Sequence, residues 1–370
     1  MISKFLLPPG FKDSLSFDTF VEHQYKNLII NSFRENGFSL IKTPLIEYSS
    51  NLDDNTLSLN TKKEEPKLSI RNDITPQIIR VVTSRLSKKI RPLKLCYYGE
   101  VVRKKGTILR PERQFQQVGA EIIGAESYKA DVEIINLAYQ TLKNIGVKNI
   151  VIEISAPFFL ENILKVIKDT RLKNKLKKYI ELKDINNCLK LIIDEKVKNS
   201  LSNLYSASGI LKNNKLKTLK LTNNISEKEI NRLYKITNLI KVSKNDRINV
   251  DLFEIQKNKK YYKGIKFTFF ARGIRGEIAG GGRYNLKYAK KIEEAIGYTC
   301  YMDTVLRASS FKNKNKRILI QFNTNPNIEK SLIEKGYTLF KTFDDKLDIR
   351  KQAKKLRIMY YLSNKVVKKI

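Results

Sequence analysis

The chain has 370 residues and carries 72 Lys and Arg against 37 Asp and Glu, a formal net charge of +35. Its hydrophobic content of 41% is typical of folded proteins and excludes a chain that is disordered throughout. Three scattered cysteines and one histidine exclude a disulfide framework and a structural zinc site, and no apolar stretch approaches the ~20 residues of a membrane span. We therefore expect a cytoplasmic protein with no membrane partner, no metal and no cofactor.

The basic residues are spread along the whole chain, as in the run KNKLKKYIELKDINN at residues 173–187. A charge of this size would ordinarily suggest a nucleic-acid partner. We interpret it instead as a compositional preference for Lys, Asn and Ile that produces a solvated, Lys-rich surface.

Hydrophobic periodicity and turn residues predict the elements of the first half of the chain. In chain order these are a helix over 18–36, strands over 38–48 and 67–73, a helix over 74–86, strands over 93–104 and 112–124, a helix over 128–145 and a strand over 149–154. The helix over 74–86 would open at Asp73 or Thr75, because both residue types cap helices well. The strands over 93–104 and 112–124 would pair antiparallel around a charged loop.

The second half begins with a change of composition. Residues 157–247 are rich in Lys and Leu, poor in Gly and mostly helical by periodicity, which predicts an inserted helical module. Strands then return over 248–270 and 274–284, the second ending in a glycine-rich AGGGRY turn, and a helix follows near 302–310. We predict a core of residues 1–310, with the insertion at about 157–247, and a short α/β appendage over 311–370.

Polar residues suited to a ligand site lie in the RNDITPQ segment, on the paired strands and before the strand IKFTFF. They are Asp73, Thr75, Arg103, Gln117, Glu121, Tyr261 and Tyr262. Gln117 and Glu121 share one strand face because side chains repeat every two residues. Each segment alone fits an ordinary buried network, since buried charge needs partners. Together, with the close backbone approach that the AGGGRY glycines permit, they predict one site.

These segments resemble the histidyl-tRNA synthetase catalytic core. Within that group the run RNDITPQIIR at residues 71–80 is the most specific, because it is very similar to the matching run of ATP phosphoribosyltransferase regulatory subunits. The resemblance extends from PPGFKDSL at residues 8–15 to about residue 310. It implies an α+β fold, a class II synthetase-like antiparallel sheet flanked by helices, with a helical insertion and a small C-terminal α/β appendage.

The resemblance implies a pocket for free L-histidine. Asp73 and Glu121 would bind the α-ammonium or the imidazole nitrogens, and Thr75 and Gln117 would add hydrogen bonds. Arg103 would meet the carboxylate, while Tyr261 and Tyr262 would line the imidazole slot. A zwitterion with a ring needs this combination of acids, a guanidinium and an aromatic wall.

Several positions depart from the synthetase pattern. Lys260 replaces an Asp, Lys105 and Gly106 replace a Glu and an Arg, and Thr304 replaces the Arg that would pack on the nucleotide. Tyr301 fills a position where synthetases have Gly. Because activation of an amino acid needs fixed cations around the phosphates, these changes predict that the protein has no catalytic residues of its own.

The appendage argues in the same direction, because it is about half the length of a synthetase anticodon-binding domain, and we expect no tRNA binding. The resemblance implies a dimer that assembles with the short-form ATP phosphoribosyltransferase catalytic subunit, with histidine as a feedback inhibitor of the first step of histidine biosynthesis. A divergent histidyl-tRNA synthetase is the main alternative, and an RNA-binding module is another. The roles of two arginines stay open. Arg283 could pair with a carboxylate or mark a vestigial nucleotide site, and Arg307 could substitute for the synthetase Arg that Thr304 replaces.

Overall fold

The computed structural model describes residues 5–49, 55–59, 65–211, 216–217, 219, 227–255, 262–288, 291–309, 316–344 and 348–370. The chain divides into two compact units, Met1–Ser310 and Phe311–Ile370. Within the described residues, no helix is both long and apolar enough to cross a membrane.

The described residues form eleven helices. They are α1 (Ser16–Glu35), α2 (Thr75–Thr83), α3 (Tyr128–Asn144), α4 (Pro157–Val166), α5 (Thr170–Glu181), α6 (Ile185–Lys190), α7 (Glu195–Ala207), α8 (Glu227–Leu239), α9 (Met302–Ala308), α10 (Pro326–Glu334) and α11 (Ile349–Lys355). Helices α4 to α8 fall within the stretch predicted as a helical insertion. Asp residues cap three of them, at the starts of α5, α6 and α7, by accepting backbone N–H groups.

The strands of the described residues form three sheets. They are β1 (Ser39–Ile41), β2 (Ile46–Tyr48), β3 (Leu57–Ser58), β4 (Leu68–Ile70), β5 (Leu93–Val102), β6 (Gln114–Ile123), β7 (Ile150–Ser155), β8 (Gly209–Ile210), β9 (Arg247–Asp251), β10 (Tyr262–Ala271), β11 (Ala279–Tyr288), β12 (Lys291–Tyr301), β13 (Lys316–Ile320), β14 (Tyr337–Lys341), β15 (Tyr360–Ser363) and β16 (Val366–Lys369).

The first unit is built on a nine-stranded sheet in the order β1-β5-β6-β12-β11-β10-β7-β9-β8. All neighbouring strands are antiparallel except β1 with β5 and β7 with β9. Helix α2 packs on one face of the central strands and buries Ile74, Ile78 and Val82 against Tyr97 and Leu286. This antiparallel sheet with flanking helices is the predicted α+β architecture.

The glycine-rich AGGGRY segment is a strand, so the predicted turn is wrong. Gly280, Gly281 and Gly282 lie in the middle of β11, where they pair with Thr299, Tyr298 and Gly297 of β12. None of the three has a positive φ. A Cβ at Gly281 would collide with the carbonyl of Gly297 and lie 2.8 Å from the Cα of Tyr298, so glycine serves close packing here rather than chain reversal.

Strand β12 lies in a stretch for which the sequence pattern predicts no element. Its second half is buried continuously from Ala295 to Cys300, because both faces of the sheet are covered at this point. A strand of this kind shows no alternation of polar and apolar residues.

The second unit is a four-stranded sheet in the order β14-β13-β15-β16, with parallel pairing of β13 to both neighbours. Helices α10 and α11 cover separate hydrophobic clusters, the first around Ile318 and Leu332 and the second around Leu319 and Ala353. Adjacent residues of β13 therefore point to opposite faces, and one helix covers each face. The antiparallel strand β16 was not predicted.

Candidate functional site

A cavity of about 190 Å³ opens above the central strands of the nine-stranded sheet. All five predicted site residues that the structure fully describes line it: Asp73, Thr75, Arg103, Gln117 and Glu121. Tyr261 lies outside the described residues, as does the side chain of Tyr262. The structure thus brings together residues that are up to 48 positions apart in the chain.

Strand β6 carries two of these side chains into the cavity. Gln117 pairs with Gly99 of β5, and Glu121 pairs with Gly297 of β12. Between them, a Cβ at Gly119 would approach the Tyr97 ring to 2.5 Å. Small residues around the two polar side chains therefore leave the space that the cavity occupies.

The junction between β4 and α2 brings Asp73 and Thr75 to the cavity. Thr75 is the first residue of α2, and the residue before it, Ile74, makes no side-chain cap. As predicted, the Asp73 side chain accepts a backbone N–H at the start of the helix, that of Thr75 at 3.4 Å, whereas the Thr75 hydroxyl bonds to Tyr97 and Glu121. The backbone N–H of Ile74 donates to Gln117 Oε1 at 3.1 Å. Gln117, which lines the site and is 43 positions away in the chain, therefore fixes the start of this helix.

Arg71 also stabilises the junction between β4 and α2. Its side chain is buried, and it donates from Nε to the carbonyl of Glu100 at 2.7 Å and from Nη1 to Thr43 and Gln77 at 3.0–3.1 Å. Burial lowers the pKa of this guanidinium, and the nearby charges of Glu100 and Glu47 oppose that effect. Arg71 therefore joins the segment before β2, helix α2 and strand β5 around the base of the site.

Glu121 is held by three hydroxyl groups. Thr75 and Tyr97 donate to its Oε1 at 3.2 and 3.3 Å, and Tyr284 donates to Oε2 at 2.9 Å. Burial raises the pKa of this carboxyl to about 8; the charge of Asp73 adds to the rise, while the hydroxyl donors oppose it. The side chain is thus a fully buried acid with a fixed orientation.

Tyr284 is a site residue that the sequence analysis missed. It ends the AGGGRY run, and once that segment is a strand, its side chain points towards β6 and meets Glu121. The glycine run was a usable signal, but its interpretation as a turn concealed the side-chain direction.

Asp73 and Arg103 form the more open part of the cavity. Asp73 is half-buried, and its Oδ1 accepts from the Thr75 N–H at 3.4 Å. Burial raises the pKa of this carboxyl, against the lowering effects of that hydrogen bond and of Arg103. The Arg103 guanidinium lies 4.9 Å from the Phe115 ring centroid and 5.9 Å from that of Tyr301, and it forms no ion pair with a described residue.

This arrangement can bind a small zwitterion. Two carboxyl groups offer acceptors for an ammonium or an imidazole N–H, and the Arg103 guanidinium offers donors for a carboxylate.

A second basic residue packs on Tyr301, which lines the cavity. Arg110 is buried, its guanidinium stacks 4.0 Å from the Tyr301 ring centroid, and it pairs with Glu277 at 3.2 Å and Asp303 at 3.3 Å. Thr304 is also buried and donates to the carbonyl of Glu277 at 2.8 Å. Side chains of this chain therefore fill and neutralise the region next to the predicted ligand pocket.

The two arginines left open by the sequence have carboxylate partners. Arg283 pairs with the fully buried Asp131 at 2.7 Å and with Glu294 at 2.8 Å. Arg307 pairs with Glu112 at 2.6 Å, and its guanidinium lies 3.7 Å from Asp303. Arg283 forms a structural ion pair, and Arg307 lies in the last turn of α9 and does not line the cavity.

Known proteins match most of this chain in sequence. The family model for histidyl-tRNA synthetases matches residues 10–305. The ATP phosphoribosyltransferase regulatory subunit of Rhodospirillum rubrum is 31% identical over 312 residues, which cover 81% of this chain and 80% of that protein. The regulatory subunit of Rhodospirillum centenum is 29% identical and covers 95% of this chain and 92% of its own length.

Solved structures share the fold. An ATP phosphoribosyltransferase regulatory subunit/histidyl-tRNA synthetase from Bacillus halodurans has a TM-score of 0.77 at 20% identity, over 95% of this chain and 96% of that one. A chain of the ATP phosphoribosyl transferase complex from Thermotoga maritima has a TM-score of 0.61 at 18% identity, over 76% of this chain and 98% of that one. The class II synthetase-like fold predicted from the sequence is confirmed.

Proposed function

This chain belongs to the ATP phosphoribosyltransferase regulatory subunits of the histidyl-tRNA synthetase family, and from that premise we propose that it regulates the first step of L-histidine biosynthesis. Its partner is the short-form catalytic subunit, which transfers the phosphoribosyl group to ATP in the cytoplasm. The relatives that carry the regulatory name match it over most of their length, and the Thermotoga maritima structure is of a complex of that enzyme.

We propose that L-histidine binds in the 190 Å³ cavity as a feedback effector. The observation that carries this proposal is the convergence of two carboxyl groups, Asp73 and Glu121, around one space with the Arg103 guanidinium, which no described carboxylate pairs with. Asp73 is the more accessible acid, so it would take the α-ammonium, and Arg103 would take the carboxylate. Glu121 and Tyr284 would meet the imidazole, because both lie deep among the strands.

We propose that the chain does not activate histidine and does not bind tRNA. The position of the nucleotide-packing Arg of the synthetases is Thr304, which is buried and bonded to the backbone. The neighbouring Tyr301 is covered by Arg110, whose charge is already compensated by Glu277 and Asp303. These contacts leave no uncommitted cation next to Tyr301 among the described residues except Arg103, whereas adenylate formation needs several.

We also propose that the chain dimerises through the outer surface of α1 and the strands β1 and β2. Large hydrophobic side chains on this surface are between 43% and 54% exposed: Phe17, Phe20, Leu28, Leu40, Leu45, Ile46 and Tyr48. Exposed hydrophobic side chains concentrated on three consecutive elements favour a contact between proteins.

The test is phosphoribosyl transfer by the catalytic subunit, measured with and without this chain over a range of histidine concentrations. We expect the chain to raise the rate and histidine to lower it again. Asp73→Asn should keep the rate increase and weaken the histidine effect by about tenfold or more, because a hydrogen bond to a charged group contributes about 1.5–3 kcal/mol.

Glu334→Gln is the matched control, because Glu334 is exposed on α10 in the other unit and the change removes the same charge. It should leave both effects unchanged. Histidine-dependent ATP–pyrophosphate exchange by the chain alone would contradict the proposal and favour a divergent synthetase.

A further inference from the structure

Several glycines of the central strands make room for other atoms of this chain. At four of them an added Cβ would collide with another group, namely the side chain of Arg71, Tyr97 or Glu121 or the backbone of β12. The four are Gly99, Gly119, Gly297 and Gly281, in that order. At these positions the packing of the protein itself explains why a side chain is missing.

Gly280 differs from these four glycines. It is half-buried in the middle of β11, it lines the 190 Å³ cavity, and its φ is not positive. An added Cβ would be 3.5 Å from the Tyr301 hydroxyl and 3.9 Å from the Phe267 carbonyl, which are ordinary contacts. Because a glycine inside a strand is unfavourable, and packing does not require one here, the bare backbone indicates close approach by a ligand.

The Tyr301 hydroxyl beside Gly280 is free to bind a ligand. The Tyr301 ring is fixed by Arg110, whose guanidinium lies 4.0 Å from its centroid, and by the edge of the Phe115 ring at 6.1 Å. Tyr301 lines the cavity, yet its hydroxyl makes no hydrogen bond with a described residue. A phenol in this position has one donor to offer, and the fixed ring keeps it beside Gly280.

The register of the sheet places Gly280 between the two ends of the cavity. Along β12, Gly297 pairs with Glu121 and Thr299 pairs with Gly280, and Tyr301 follows on the same face. A ligand that lies on Gly280 therefore has one end near Glu121 and the other near Tyr301. The Tyr301 end is the cationic one, because the Arg103 guanidinium lies 5.9 Å from the same ring as Arg110.

We propose that the effector lies flat on the backbone of Gly280 and that the Tyr301 hydroxyl donates to its carboxylate, beside Arg103. This inference rests on the proposal that histidine binds in this cavity. Synthetases have Gly at the position of Tyr301, so the contact distinguishes this chain from them. Tyr301 is then a specificity-determining residue, which favours ligands that carry a carboxylate.

The first experiment titrates the full chain by calorimetry with L-histidine and with histamine, which lacks the carboxylate. Tyr301→Phe keeps the ring that Arg110 covers and removes only the hydroxyl. It should weaken histidine binding by about tenfold and leave histamine binding unchanged, because only histidine loses a hydrogen bond to a charged group. Tyr337→Phe is the matched control: Tyr337 is also half-buried, with Lys316 Nζ 6.0 Å from its ring centroid, but it lies in the other unit.

The second experiment adds the missing Cβ through Gly280→Ala. The variant should unfold at the same temperature as the wild type or a higher one, because the methyl group fits and alanine restricts the unfolded chain. It should weaken both histidine and histamine by about tenfold or more, since the methyl group occupies the space of the ligand. A lower unfolding temperature with unchanged affinity would show that Gly280 is structural and would overturn its part in binding.

The two ligands separate the possible failures. An equal loss of histidine and histamine affinity in Tyr301→Phe overturns the assignment of the hydroxyl to the carboxylate, as does an equal effect of Tyr337→Phe. Histidine binding that neither Tyr301→Phe nor Gly280→Ala changes overturns this inference and leaves the proposed effector site standing. Absence of saturable histidine binding by the wild type overturns both.

Discussion

Glu121 allows a prediction in which stability and ligand binding change in opposite directions. Its folded pKa of about 8 is above the ordinary 4.5, so the folded state binds more protons than the unfolded state between these values. The stability that this group contributes is therefore greatest below pH 4.5 and is lost as the pH rises towards 8. At 1.36 kcal/mol per pKa unit, the full loss of stability is about 5 kcal/mol, and about 3 kcal/mol of it has occurred by pH 7.

The substitution Glu121→Gln removes the ionisation and keeps the shape. The Gln carbonyl can still accept from Thr75 and Tyr97, and the Tyr284 hydroxyl can accept from the new amide. We expect the variant to match the wild type near pH 4.5 and to be more stable by about 3 kcal/mol at pH 7. Histidine binding should weaken by about tenfold or more, because the acceptor for the cationic ligand is lost.

Urea unfolding of both proteins from pH 4.5 to 8.5 measures this difference, and subtraction of the two curves removes the contribution of other titrating groups. Glu181 is exposed on α5, and Glu181→Gln serves as the control for loss of one surface charge. A difference curve that stays flat across this range would refute the reasoning, because Glu121 would then titrate alike in the folded and unfolded states.

Two further predictions follow from single contacts. Tyr284→Phe removes the 2.9 Å donor to Glu121 and should weaken histidine binding by about tenfold by calorimetry, with urea unfolding at pH 5 close to wild type; unchanged affinity would contradict its place in the site. Asp131→Asn leaves the buried Arg283 with Glu294 as its acidic partner and removes the acid that Arg232 contacts at 2.6 Å, so it should lower the free energy of unfolding by about 3–5 kcal/mol; a loss below 1 kcal/mol would show that the buried pair adds little.

Periodicity and turn residues predicted most elements of the first half of the chain. The helix expected over 128–145 is Tyr128–Asn144, and the paired strands expected over 93–104 and 112–124 are β5 and β6. Helix α3 has one polar face, so its pattern is visible in the sequence, whereas β6 is buried continuously from Gln117 to Ile123 and was recognised with β5 from the charged loop between them. Strand β12 is covered on both sides and shows no such pattern.

The site was predictable to the extent that family resemblance supplied it. The residues Asp73, Thr75, Arg103, Gln117 and Glu121 do line one cavity, although composition and spacing alone could not bring them together. Tyr284 was missed, because its role depends on the register of β11 against β12.

The junction before α2 shows a second limit. A local rule predicted the contact of the Asp73 side chain with the start of the helix, but not the partner of the Ile74 N–H, which is Gln117, distant in sequence. Long-range partners of this kind act beside local preferences, and a single sequence does not reveal them.

The glycines of the central strands also set how this protein can vary. A Cβ at position 119 would meet the Tyr97 ring, one at 281 would meet the backbone of β12, and one at 297 would overlap the carboxylate of Glu121. Every single substitution at these positions adds at least that one carbon. In a library containing all substitutions, these three positions should therefore tolerate no replacement, while exposed residues on the helices tolerate many. The shape of the pocket is therefore the part of the protein that substitutions can change least, whatever ligand binds there.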